Sequence, residues 1–228
     1  VTAKQRRAPA DPKLAQIIEE LREIAARRPS IARTDHKGVK STETIRRILD
    51  AAYAVFVREG YAGSSLRKVA DEADIAVGNL TYHFATKTQL LQAMLAEKLA
   101  RYIDDHLETL NGADADATDL LLEVVAYYAG NARNAHNFFY QMWGYAGSSD
   151  EARGFVRDLY RPIGWLIMAL IRLANPALDR RDVQRAVLQI VSLFEGYRLF
   201  SGLDLEEDLA LSAAEDDIRA LTRKIVFG

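Results

Sequence analysis

The sequence predicts an all-α chain: a small N-terminal head of short helices, joined by one long helix to a larger helical body. Three observations carry this. Apolar residues recur at i, i+3, i+4 and i+7 through nearly every segment, and no segment alternates convincingly as a strand. Helix breakers are scarce, with 5 Pro and 13 Gly in 228 residues. The remainder is rich in Ala, Leu, Arg and Glu, which favour helix.

The elements follow in order. Residues 1–10 read as a polar tail. Asp11-Pro12 is an N-cap followed by proline at the first helical position, and Leu14, Ile17, Ile18, Leu21 and Ile24 form the apolar stripe of a helix that Pro29 ends. Residues 31–40 are basic and polar and read as a linker. A second helix opens at Ser41/Thr42 and ends at Gly60. Ser64-Ser65 caps a short helix over 66–73, Asp74-Ile75-Ala76 is a tight connection, and another short helix covers 77–84 with Val77, Leu80 and Phe84 inward. Two short helices joined by about three residues are the helix-turn-helix arrangement. Thr86 caps a long helix through residue 110. Further helices are expected near 117–134, 135–146, 150–174, 179–202 and 212–226, with Gly147-Ser148-Ser149, Asn175-Pro176 and Gly202 as breaks.

Composition excludes several functions. There is no Cys, hence no disulfide, thiol nucleophile or thiolate metal site. The 4 His share no short spacing, and no Glu stands three residues before any of them. The acidic clusters 104–105, 206–208 and 215–217 read as solvated faces. No catalytic residue, metal or cofactor is expected. No apolar run approaches the ~18 residues of a membrane span, and the N-terminus lacks the apolar region of a signal peptide. A soluble, cytoplasmic protein is the expectation. Residues 1–40 carry ten Lys/Arg against five Asp/Glu, whereas residues 41–100 carry seven of each. The basic excess therefore lies in the N-terminal extension.

The stretch Thr44-Ile45, Ala51-Ala52, Phe56, Gly60-Tyr61, Ser64 to Ala70, Ala73, Ile75, Gly78, Leu80, Tyr82-His83-Phe84, Lys87 and Leu90-Leu91 resembles the TetR family of bacterial transcriptional regulators. About a quarter of the chain carries the resemblance. It implies an N-terminal three-helix helix-turn-helix DNA-binding domain over 41–88, preceded by a basic extension over 1–40. A helical regulatory domain over 89–228 would bind ligand and dimerise. The physical reading of the residues agrees. A recognition helix must keep apolar groups behind and offer small and polar groups to base edges. Here Gly78, Asn79 and Thr81 face outward, and Tyr82, His83 and Lys87 are expected at phosphates. Thr44, Ser64, Ser65 and the N-terminus of the first short helix are further phosphate candidates. The sequence departs from the family pattern at Asp74, where Gly is usual, at Ala76, where Ser or Thr usually caps, and at Thr81, often Tyr.

The C-terminal half concentrates aromatic side chains. Tyr127, Tyr128, Asn131, Phe139, Trp143 and Phe155 are the candidates for lining an effector pocket. The resemblance implies a two-fold dimer seam from two long C-terminal helices, with Leu159, Ile163 and Leu166 on one and Val187, Ile190, Val191 and Phe194 on the other. The expected function is a ligand-responsive homodimer that binds a double-stranded DNA operator, usually as a repressor. The alternative is a helical small-molecule-binding protein whose helix-turn-helix is only scaffold.

Overall fold

The structure, a computed structural model, describes residues 11–26, 39–112, 116–203, 205, 209 and 211–228. The expected tail over 1–10 and most of the expected linker lie outside the described residues. Ten α-helices follow: α1 (Pro12–Ala26), α2 (Val39–Gly63), α3 (Leu66–Glu72), α4 (Val77–His83), α5 (Lys87–Gly112), α6 (Ala117–Gly130), α7 (Ala132–Ala146), α8 (Asp150–Ala174), α9 (Arg180–Ser201) and α10 (Ala214–Phe227). A short 3₁₀ turn, Leu211–Ala213, precedes α10, and no strand occurs among the described residues.

Local chemistry sets the helix starts. The free N–H groups of a first turn need an acceptor. Asp11 Oδ1 accepts from Lys13 N at 2.7 Å, Ser65 Oγ from Lys68 N at 3.2 Å and Thr86 Oγ1 from Gln89 N at 3.1 Å. Asp116, Ser149 and Asp179 do the same for α6, α8 and α9. Gly60 takes φ 69° and ψ −179° inside α2, a conformation open to glycine almost alone, and kinks that helix. A Cβ there would also collide with the Gln141 side-chain amide on α7.

The chain divides into two units. One gathers the described residues of Val1–Ile24, Ile103–His136 and Tyr160–Gly228. Its core is apolar: Leu120, Leu121, Val124 and Val125 of α6, Leu170 and Ile171 of α8, Ile190 and Phe194 of α9, and Ile218 of α10. Here α6 packs on α9 and α10, and α9 on α10. The stripe Leu14, Ile17, Ile18 and Leu21 of α1 is buried in this unit, and Arg22 donates to Asn111 Oδ1 of α5 at 3.2 Å. Each such side chain contributes about 1.5–3 kcal/mol on burial, which holds a helix too short to stand alone. His106 is also buried here, its Nε2 2.5 Å from the Tyr128 hydroxyl. Burial pushes the imidazole down to about 4, so it is neutral near pH 7.

The other unit gathers the described residues of Ala25–Tyr102 and Asn137–Leu159. Its core joins Ile48, Val55 and Phe56 of α2, Val69 and Ala70 of α3, Leu80 of α4, Leu90 and Met94 of α5, and Phe138 and Met142 of α7. The division thus differs from a cut at residue 88. Residues 89–102 and 137–159 group with the three-helix head.

Candidate nucleic-acid interface

Helices α3 and α4 depend on α2 and α5 for their core, because each has only seven residues. α2 packs on α3, and α3 on α4. The turn between α3 and α4 is pinned from both sides. Asp74 N donates to Asp71 O at 3.2 Å and Ile75 N to Ala70 O at 3.0 Å. The Arg47 guanidinium of α2 donates to Ala73 O at 2.6 Å. Asp74 sits at φ 51°, so the residue standing where the family pattern favours glycine does adopt the left-handed conformation. α4 then starts at Ala76 with no side-chain cap.

The orientation of α4 rests on one side chain. Leu80 is wholly buried and is the only buried residue of this helix. Gly78, Asn79, Thr81 and Tyr82 are exposed, and Tyr82 is 68% accessible. A Cβ on Gly78 would meet nothing within 4 Å, so this stretch of backbone lies open to a close approach. The Thr81 hydroxyl donates to Gly78 O at 3.2 Å, which leaves its methyl and its lone pairs facing out. Such groups suit a thymine methyl and the donors of base edges.

Four expectations need correction or refinement. Val77, expected inward, is 38% exposed, and Phe84 is only half-buried. Val77 lies about 60° around the helix from Leu80, which in a seven-residue helix is enough to leave the core. Lys87 is not a free cation: its Nζ donates to Tyr61 O at 2.8 Å and Ser64 O at 3.2 Å and lies 4.1 Å from the Tyr61 ring centroid. It clamps the end of α2 to the start of α5. His83 is half-buried, and burial lowers its imidazole below the ordinary value. Its Nδ1 is buried with no hydrogen-bond partner.

Of the remaining phosphate candidates, Ser65 Oγ is committed to its cap, and Ser64 Oγ donates to Tyr61 O at 2.9 Å. Thr44 is half-buried in α2. The clamp leads to a test. Hydrogen bonds from a charged donor are worth about 1.5–3 kcal/mol. Lys87→Met is expected to lower the urea midpoint of the head and to weaken all DNA sequences alike. An unchanged midpoint with a salt slope reduced by about 1 would instead assign Lys87 to a phosphate.

The expected pocket residues fall in both units, Tyr127, Tyr128 and Asn131 in one and Phe139, Trp143 and Phe155 in the other. Tyr128 and Phe139 are core side chains, buried in different units. Tyr127 and Asn131 border a polar groove of about 310 Å³ that also holds Glu123, Glu215 and Arg219. The Tyr127 hydroxyl donates to Asp105, and Arg219 pairs with Glu123 at 2.7 Å. Trp143 is half-buried in α7, and Phe155 borders an apolar groove of about 290 Å³. The expected seam residues are mostly in the core. Leu159, Ile163, Leu166, Ile190 and Phe194 are buried within the single chain, 0–6% exposed, so they already serve its own core. Val187 and Val191 are half-buried.

Sequence reasoning missed the exposed apolar side chains of the C-terminal half: Leu188 at 68%, Leu199 at 43%, Phe200 at 42%, Leu203 at 49%, Leu221 at 36% and Phe227 at 44%. They lie on α9, the turn after it and α10. The signal was present as apolar residues left over once each helix had filled its buried stripe. Among the described residues, no group of His, Asp and Glu could hold a metal ion.

Residues 48–94 match the family of bacterial regulatory proteins described as tetR. Over 165 residues the chain is 27% identical to an uncharacterized HTH-type transcriptional regulator of Xanthobacter autotrophicus, covering 70% of this chain and 80% of that protein. Over 59 residues it is 42% identical to the HTH-type transcriptional repressor KstR of Mycobacterium tuberculosis, covering 26% of this chain and 27% of KstR. The fold matches that of the transcriptional regulator FadR from Bacillus subtilis, solved in complex with stearoyl-CoA, with a TM-score of 0.67. That match has 20% identity and covers 80% of this chain and 98% of the other. The matched residues are those that build α4 and its supports, and the all-helical remainder has the same fold as a known regulator. Residues 48–94 thus match the DNA-binding segment of the tetR family of bacterial regulatory proteins, and the chain as a whole is similar to HTH-type transcriptional regulators.

Proposed function

We propose that this regulator is a homodimeric repressor that reads a two-fold symmetric operator with α4 and leaves it when a small molecule binds. The observation that carries the reading is the outer face of α4. Gly78, Asn79, Thr81 and Tyr82 are all exposed above a single buried Leu80. A scaffold helix has no need of such a face. Asn79 and Thr81 are the base readers, Val77 is a third candidate through a thymine methyl, and Tyr82 and His83 hold phosphates.

Dimerisation follows from the chemistry. One seven-residue helix makes few base contacts, and two copies at a fixed spacing make enough. The seam runs over α9 and α10, because these helices carry exposed apolar side chains, Leu188, Leu199, Leu221 and Phe227, that a lone chain leaves wet. A second copy of the same chain is the occupant, since the two helices already lie side by side.

Effector control is supported by the large helical body beyond the head and by the fold shared with a regulator solved with a bound ligand. No described helix is long and apolar enough to cross a membrane, which fits action at cytoplasmic DNA. The relatives are transcriptional regulators, and the reading assigns no enzymatic step. The test is selection of bound duplexes from a random pool. An inverted repeat is expected, with half-site centres about 34 Å apart or a multiple of that. Failure to enrich any sequence would favour a ligand-binding protein with a silent helix-turn-helix.

A further inference from the structure

We infer that Glu59 and Glu72 are specificity determinants: their carboxylates withhold Arg58 and Lys68 from DNA phosphates, which keeps sequence-independent binding weak and leaves the choice of site to α4. This rests on the DNA-reading function proposed above and names residues that set its selectivity.

Residues 41–88 carry six Lys/Arg and six Asp/Glu, so the three-helix head is formally neutral. Sequence-independent affinity for DNA comes almost wholly from cations that neutralise phosphates. Most cations of this head are already engaged within it. Arg46 pairs with Glu43 at 3.2 Å, and backbone carbonyls hold Arg47 and Lys87. Carboxylates hold Arg58 and Lys68.

These last two belong to one network across the end of α2 and α3. Glu72 accepts from Arg58 Nη2 at 2.9 Å, and Glu59 Oε1 lies 3.4 Å from the same nitrogen. Glu59 Oε2 accepts from Lys68 Nζ, which also donates to Gly63 O at 2.9 Å. The hydrogen bond from Lys68, joined by the pull of Arg58, holds the Glu59 carboxyl below the ordinary carboxylate range. The Glu59 side chain is only 24% exposed, whereas Arg58 and Lys68 are 54% and 51% exposed. The acid is the shielded partner, and the cations it restrains face water.

The network stands beside the phosphate candidates. Ser65 caps the Lys68 N–H, and Lys68 Nζ reaches the carbonyl that precedes Ser64. An ammonium in that place is a ready phosphate ligand, and Glu59 occupies it. The bond between α2 and α3 does not need the network, because Phe56, Val69 and Ala70 join them through the core. Exposed ion pairs add little to such packing. Released cations would help unrelated DNA more than an operator. A sequence-independent complex tilts until any cation meets any phosphate, whereas base contacts hold the operator complex in register.

The test is anisotropy titration of the full chain over a salt series, with the selected duplex and a scrambled duplex of equal length. Glu59→Gln/Glu72→Gln should bind the scrambled duplex about 10-fold more tightly at low salt, with a log–log salt slope steeper by about 2 per head. The affinity ratio of selected to scrambled duplex should fall by about 10-fold. Adding Arg58→Gln and Lys68→Gln removes the released cations and should return slope and ratio to wild-type values. If the double variant melts early, Glu59→Gln alone releases Lys68 and should steepen the slope by about 1. A wild-type slope and ratio in a folded variant would overturn the inference. So would a lost ratio that the fourfold variant does not restore, since the network would then position α3 and not withhold cations. If the random pool yields no preferred sequence, the base-reading proposal fails, and the slopes on the scrambled duplex still decide whether the carboxylates restrain the cations.

Discussion

Leu80→Ala is expected to cost about 3–5 kcal/mol of head stability, the range for removing a buried leucine from a site that cannot collapse around the loss. The position is unusually exposed to this effect. α4 has seven residues, no side-chain N-cap and a single buried side chain, so nothing else within the helix compensates. Shortening Leu80 also frees α4 to rotate, and the outward set Asn79, Thr81 and Tyr82 loses its fixed presentation. DNA affinity should therefore fall further than global unfolding alone explains. Urea melts followed by circular dichroism, together with anisotropy titration of the selected duplex, measure both effects. A loss below about 1 kcal/mol with unchanged affinity would mean that α4 is held by something other than Leu80.

Paired substitution of Leu188→Glu and Leu199→Glu should convert the proposed dimer to monomer. The two leucines lie about three turns apart on α9 and are 68% and 43% exposed. A charge there costs a lone chain little but must be desolvated at a seam. Thermal stability of the monomer should change little, whereas operator affinity should fall about 10²–10⁴-fold as the second head ceases to be tethered. Sedimentation equilibrium reads the first outcome and anisotropy the second. A persistent dimer would place the seam elsewhere.

Periodicity leaves the seam open for a physical reason. Periodicity shows that Ile163, Leu166, Ile190 and Phe194 share faces of their helices. It does not say whether that face meets the chain's own core or a second copy, and here the chain's own core takes them. Several helix starts were legible because caps act within three residues: Asp11, Ser65 and Thr86 all stand where the hydroxyl or carboxylate chemistry requires. Asp74 was legible too, since its left-handed backbone is a local property. Lys87 was not. Its two carbonyl partners are 26 and 23 residues away, and no local pattern marks them. Nor did the stripe of α1 reveal which unit would bury it, because Leu14, Ile17, Ile18 and Leu21 suit any apolar surface. The role of the pocket candidates is not legible for a related reason. Aromatic side chains fill cores as readily as they line cavities, and Tyr128 and Phe139 do the former.

The central claim is that the exposed face of α4 reads base sequence. The most direct test repeats the random-pool selection with Asn79→Ala beside the wild type. A side chain that reads a base edge contributes about 1–3 kcal/mol of discrimination. The account predicts that the variant recovers the same inverted repeat with preference relaxed at one base pair in each half-site, symmetrically, and unchanged elsewhere. A recovered sequence identical to that of the wild type at every position, with equal enrichment, would contradict it.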